Sequence, residues 1–90
     1  MSDEMLANLA HRLSRAQRLL LLRACQADEG LQSTQEMDAR RLWSFGMMVA
    51  VGMRHFEHRR TRSFTVYPTF FGHRAMTWLV RFGMLPMTGL

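Results

Sequence analysis

The sequence predicts one small α+β domain, mostly helical, with a single two-stranded β-hairpin. Three observations carry this. Apolar residues recur at helical spacing near both ends of the chain, at Leu6, Leu9, Ala10 and Leu13 and again at Phe71, Ala75, Trp78, Leu79 and Phe82. Between them an apolar run, GMMVAVGM from Gly46, leads into a basic cluster, HFEHRRTR, and then into the alternating segment SFTVY. Ninety residues supply one core and leave no material for a second.

The first helical series continues from Leu13 through Ala16, Leu20 and Ala24, with Leu19, Leu21 and Leu22 widening the stripe. Ser14 and Gln17 have the spacing of a capping box. The stretch therefore reads either as one helix from 4 to 26, or as an N-terminal arm, 1–13, followed by a fresh helix from 14 to 26. The apolar width at Leu19 to Leu22 exceeds one core-facing stripe and points to burial on two sides, with a dimer contact as one way to supply the second. Residues 27–32, ADEGLQ, read as a loop or a single turn.

Ser33 and Glu36 repeat the capping-box spacing and open a helix to about Phe45. Met37, Leu42 and Phe45 are expected inward; Thr34, Gln35, Asp38, Arg40, Arg41 and Ser44 are left outward. Gly46 is the expected C-cap. Met47 to Arg54 then reads as a strand, and residues 63–67 as its partner. The eight residues from His55 to Arg62 form the hairpin tip, longer than a tight two-residue turn. Pro68 lacks a donor for the ladder and ends the second strand, while Thr69 can cap a last helix. Residues 83–90, GMLPMTGL, are a C-terminal tail with no strong element of their own.

Composition sets the class. With 48% hydrophobic residues and nine methionines, the chain carries more apolar side chain than one small core readily hides, so a homodimer or a docked partner is expected. The single cysteine, Cys25, sits beside an apolar run and reads as a buried, reduced thiol in a cytoplasmic protein. No stretch approaches the ~20 apolar residues of a membrane span, and the acidic start, MSDEMLANLA, lacks the basic entry of a signal peptide.

Charge is segregated. Residues 40–90 hold eight arginines and one acid, Glu57, a net +7; residues 1–39 hold four arginines and six acids, a net −2. A basic half on a small domain is the electrostatic footprint of a polyanion binder, although basic surfaces also meet acidic proteins. Every one of the twelve cationic side chains is arginine, whose planar fork suits phosphate and guanine. Arginine-biased codon usage in a GC-rich genome explains the same count without function.

Three pieces of the chain resemble small winged helix-turn-helix proteins of the bacterial and phage regulator type. They are LSRAQRLLLL from Leu13, RRLWSFGMMV from Arg40 and YPTFFGHRAM from Tyr67, together spanning roughly residues 13–82. The second resembles the family's leucine-x-x-x-glycine-leucine-valine junction, carried by Leu42, Gly46, Met47 and Met48. The third resembles its threonine-x-x-glycine turn, carried by Thr69 and Gly72. The resemblance implies a winged helix with a two-stranded β-hairpin wing, a recognition helix falling on residues 33–44 in the major groove, and a wing at 55–62 on backbone or minor groove. Only about six residues separate the first helix from Ser33, so the helix that ordinarily precedes the recognition helix is reduced to a turn or missing.

The expected nucleic-acid contacts are Thr34, Gln35, Arg40 and Arg41 on the helix and His58, Arg59, Arg60 and Arg62 on the wing, with double-stranded DNA as the partner. Each has a plainer account. The wing arginines are also what keeps an exposed hairpin edge from aggregating. Arg40 can pair with Glu36 at i, i+4, and Arg41 with Asp38 at i, i+3. His55, Glu57 and His58 have an H-x-x-H spacing that, in a strand or loop, does not set two nitrogens on one ion, so no metal or other cofactor is expected. Trp43, Trp78, Phe64, Tyr67, Phe70 and Phe71 are expected in the core rather than as base-stacking platforms. No nucleophile with its base, carboxylate pair or phosphate-cradling glycine loop is recognisable, so the chain is expected to be non-enzymatic. The alternative to DNA binding is a protein-interaction module, for example a phage-derived inhibitor or adaptor of a nucleic-acid-handling protein. The reduced second helix and the acids at 36 and 38, which would repel phosphate, favour it.

Overall fold

The chain breaks its first helical series where Ser14 can cap a new helix. In the computed structural model, which describes residues 3–52 and 63–84, helix α1 spans Asp3–His11 and helix α2 spans Arg15–Gln26. The Gln17 amide N–H donates to Ser14 Oγ at 3.2 Å, and the Ser14 N–H donates to Gln17 Oε1 at 2.9 Å, so both halves of the capping box form. The arm-plus-helix reading is therefore the one adopted, and Leu13 closes the joint as a buried residue.

Beyond α2 the described chain runs β1 (Leu31–Ser33), α3 (Glu36–Ser44), β2 (Met48–Val51), β3 (Phe64–Pro68) and α4 (Phe70–Arg81). This is an α+β fold, mostly helical, with a three-stranded antiparallel sheet in the order β1-β3-β2. β2 and β3 pair as expected, with Val49 opposite Tyr67 and Val51 opposite Thr65, and Pro68 is the last paired residue of β3. The tip at 55–62, and the ends of the expected strand at 53 and 54, lie outside the described residues.

The third strand corrects the two-stranded expectation. Leu31, Gln32 and Ser33 pair with Val66, Thr65 and Phe64, so the last two residues of the expected loop, together with Ser33, are extended. Gly30 makes the close approach possible, with φ at +95° and a would-be Cβ only 2.6 Å from Thr65 Cγ2. The same pairing moves the helix start. Ser33 is buried at the end of β1, and its Oγ accepts from the Gln35 N–H instead of capping Glu36. Helix α3 accordingly begins at Glu36, with Gln35 as an N-cap whose side chain makes no cap bond.

The breadth of leucines on α2 is satisfied within the chain, because α2 packs on α3, α4 and β3. Leu20, Leu21, Leu42, Met47, Met48, Val66 and Leu79 are the largest fully buried side chains. Each such leucine contributes about 1.5–3 kcal/mol on removal from water. Four inward assignments are corrected: Met37 is 78% exposed, Trp43 44%, Phe70 81% and Phe82 59%. The buried face of α3 is made instead by Ala39 and Leu42. Tyr67 also departs from the core, on the solvent side of the sheet opposite Val49.

One junction ties α3, β2 and α4 together. α3 ends in a Schellman turn: the Gly46 N–H donates to Trp43 O at 2.9 Å and the Met47 N–H to Leu42 O at 2.9 Å, with Gly46 at φ +75°. Thr69, the N-cap of α4, donates from Oγ1 to Gly46 O at 2.6 Å and from its N–H to Met47 O at 3.1 Å, while its Oγ1 accepts from the Gly72 N–H. Gly72 lies so close to the Met47 carbonyl that a Cβ there would overlap the oxygen.

Candidate nucleic-acid interface

Burial of Ala39 and Leu42 against the core fixes how α3 is rotated. Residues at i, i+4 and i+7 on the opposite side are Met37, Arg41 and Ser44, all exposed, and exposed Thr34 precedes the helix. Ser44 Oγ donates to Arg41 O at 2.7 Å, so this hydroxyl is engaged by its own helix.

The two acids at the start of α3 are both occupied. Arg40 Nε donates to Glu36 Oε2 at 2.9 Å, and both side chains are about one-third exposed, so the pair is worth only a few tenths of a kcal/mol, as for an ordinary i, i+4 contact. Asp38 does not pair with Arg41. Its Oδ2 accepts from Gln35 Nε2 at 3.2 Å and its Oδ1 from Gln17 Nε2 at 3.4 Å, a contact that links α3 to the first turn of α2. Both acids also sit at the positive end of the α3 dipole, which stabilises them, and Arg41 sits at the negative end.

Arg41 is therefore left without a carboxylate partner among the described residues. Its Cζ lies 5.5 Å from the centroid of the Phe45 ring, and Arg12, from the joint between α1 and α2, approaches the same ring at the same distance. Each contact is of cation–π type and contributes about 0.5–1 kcal/mol at an exposed site. Among the described residues neither guanidinium meets a carboxylate or donates a hydrogen bond. Arg18, by contrast, is structural: Nη1 reaches Met84 O at 3.5 Å, beside the C-terminal turn of α4, and its Nε is buried with no hydrogen-bond partner among the described residues.

Of the residues expected to contact nucleic acid, the described ones separate into three kinds. Thr34 and Arg41 are exposed; Gln35 is half-buried and spent on Asp38; Arg40 is held by Glu36. His58, Arg59, Arg60 and Arg62 lie outside the described residues, as do His55 and Glu57. Sequence does not single out Arg12, because its relation to Phe45 is purely tertiary. Among the described residues no three His, Cys, Asp or Glu side chains converge as metal ligands, and no helix is long and apolar enough to cross a membrane. Cys25 is half-buried rather than fully buried, and burial pushes its thiol up to about 11 from an ordinary 9.0, so it is a poor nucleophile at neutral pH.

A second surface lies between α1 and α4. A groove of about 350 Å³ is lined by Leu6, Arg74, Trp78, Arg81 and Phe82, with Arg74 paired to Asp3 at 3.3 Å. Trp78 stacks obliquely on Phe82, centroids 4.6 Å apart, and meets His11 edge-on at 5.4 Å. Comparison of the chain with protein-family models, with curated proteins and with solved structures gives no match.

Proposed function

We propose that this chain is a small winged-helix DNA-binding protein, a regulator of the transcriptional or phage type, acting in the cytoplasm and without enzymatic activity. Duplex DNA meets the outward face of α3, with Thr34 and Arg41, and the arginines Arg59, Arg60 and Arg62 of a two-stranded wing supply phosphate contacts. The observation that carries the reading is the junction at Gly46. α3 turns directly into β2, and the β2–β3 register sets Val51 opposite Thr65, so the described residues that flank positions 53–62 lie at one end of the sheet. Segregated charge supports it, with a net +7 on residues 40–90. A second copy of the chain is proposed on the side of α1 and α4, where Phe82 is 59% and Met5 50% exposed; a dimer would present two reading helices to two half-sites.

Binding of generic duplex DNA at low salt, followed by fluorescence anisotropy, tests this. Changing Arg59, Arg60 and Arg62 together to alanine should flatten the slope of log affinity against log salt by about 0.9 for each phosphate that is no longer neutralised. An unchanged slope removes the wing from the interface.

One observation favours a second reading, a non-enzymatic protein-interaction module. Met37, 78% exposed, stands on the outward face of α3, and methionine adapts to apolar partner surfaces better than it reads DNA. On this reading the protein binds no generic duplex at any salt concentration, which is the outcome that separates the two.

A further inference from the structure

Two guanidiniums from different elements converge on one aromatic ring, and among the described residues neither meets a carboxylate. Arg12 belongs to the joint between α1 and α2, and Arg41 to the last turn of α3, yet each Cζ lies 5.5 Å from the Phe45 centroid. Their separation is thus at most twice that distance. Bringing two like charges together is unfavourable unless something offsets it, and in most folded surfaces a nearby acid does so. Here the acid that sequence spacing would give to Arg41, Asp38, is held by two glutamine amides instead.

The ring attracts the charge of a guanidinium and restrains its stem, but it does not use up donors as a carboxylate would. Among the described residues nothing accepts from either fork, so the N–H groups of both are open to an outside acceptor. An acceptor suited to two such forks is anionic, has several oxygens and repeats at short spacing along a line. A nucleic-acid strand has that form, with one phosphate for about every 3.4 Å of helix rise.

We infer that Arg12 and Arg41, restrained by Phe45, seat two successive phosphates of one nucleic-acid strand, one phosphate to each guanidinium. This rests on the DNA-binding reading and extends it, because it brings the joint between the first two helices into the interface beside the C-terminal end of α3. The chemistry recognised is the phosphodiester backbone, so the site contributes affinity and register but no base preference.

The test uses the full chain and a fluorescein-labelled mixed-sequence duplex, with affinity measured by anisotropy between 50 mM and 200 mM salt. Arg12→Ala should flatten the log–log slope by about 0.9, so that over this fourfold range the wild type loses about 3.5-fold more affinity than the variant. Arg41→Ala should do the same, and the double variant should show the sum of the two changes. Arg23→Ala, at an exposed arginine in the last turn of α2, should leave the slope unchanged. Phe45→Leu keeps both charges and should retain the slope while lowering affinity at every salt concentration, a readout that charge counting alone does not produce.

If Arg12→Ala leaves slope and affinity at the wild-type values while the wild type binds, the seat is refuted and the DNA-binding reading stands. If the wild type binds no duplex at 50 mM salt, both fall together. Thermal melts of the single arginine variants, expected to fall by about 2–8 °C for the cation–π contact each one loses while leaving the protein folded at the assay temperature, distinguish weakened binding from impaired folding.

Discussion

Gly72→Ala sets helix propensity against packing, and the two predict opposite signs. In the first turn of an ordinary helix, alanine is favoured over glycine by about 1 kcal/mol. Gly72 lies in the first turn of α4, where the added methyl would overlap the Met47 carbonyl oxygen and lie 3.0 Å from its carbon. Ordinary contact needs about 3.5 Å or more. The obstacle is backbone, so no rotamer change relieves it, and α4 must lift away from the turn between α3 and β2.

That movement has a second cost. Thr69 fastens the same turn through Oγ1 to Gly46 O at 2.6 Å and through its N–H to Met47 O at 3.1 Å, and each bond is worth about 1 kcal/mol. With overpacking at about 1–3 kcal/mol, the net destabilisation after the propensity gain is about 2–4 kcal/mol. For a domain of this size, that lowers Tm by at least about 8 °C in a scan followed by circular dichroism. Gly46→Ala is the comparison: open space surrounds that site, but φ is +75°, so the cost is about 1 kcal/mol and comes from the backbone alone. A Gly72→Ala protein with a Tm equal to or above the wild type would refute the packing argument.

Two further outcomes follow from the charges and the thiol. Asp38→Asn removes a negative charge from the α3 surface. A carboxylate about 8 Å from a phosphate in water costs about 0.5 kcal/mol, so duplex affinity at low salt should rise about twofold, and unchanged affinity in a normally folded variant would place α3 away from the DNA. Cys25 should react with iodoacetamide slowly at pH 8, with the rate levelling near pH 11 instead of 9. Because the folded thiol titrates above the unfolded one, folding keeps its full advantage below pH 9.0 and loses it as pH rises through about 11; a reaction plateau at pH 9 would contradict the burial.

What was legible in the sequence was local chemistry. Ser14 with Gln17, Gly46 after Phe45, and Pro68 followed by Thr69 all act over three or four residues, and each marks the boundary that its spacing predicts. Ser33 with Glu36 carries the same signature as Ser14 with Gln17, yet no box forms there, because Ser33 is extended opposite Phe64. That pairing joins positions 31 residues apart, and three residues of strand are too few to show alternation. The outward turn of Met37 was hidden for a related reason: Ala39 is small enough to be overlooked as the contact that sets the rotation of α3. At the candidate site, Arg40 with Glu36 follows the i, i+4 rule, whereas Arg12 meets Phe45 only after three elements have docked.

The docking of α3 thus does more than bury Ala39 and Leu42. It brings Asp38 to Gln17 on α2, and once two amides hold that carboxylate, the local rule that would have neutralised Arg41 no longer operates. It also brings Phe45 under Arg12, so an arginine from the acidic half of the chain shares a ring with Arg41 from the basic half. The capping box at Ser14 is part of the same arrangement, since Gln17 offers its oxygen to the Ser14 N–H and its amide nitrogen to Asp38. One glutamine side chain thereby couples the start of α2 to the charge carried by α3. A helix reads to solvent only the charges its neighbours leave uncompensated, and on α3 the arginine left so among the described residues is Arg41.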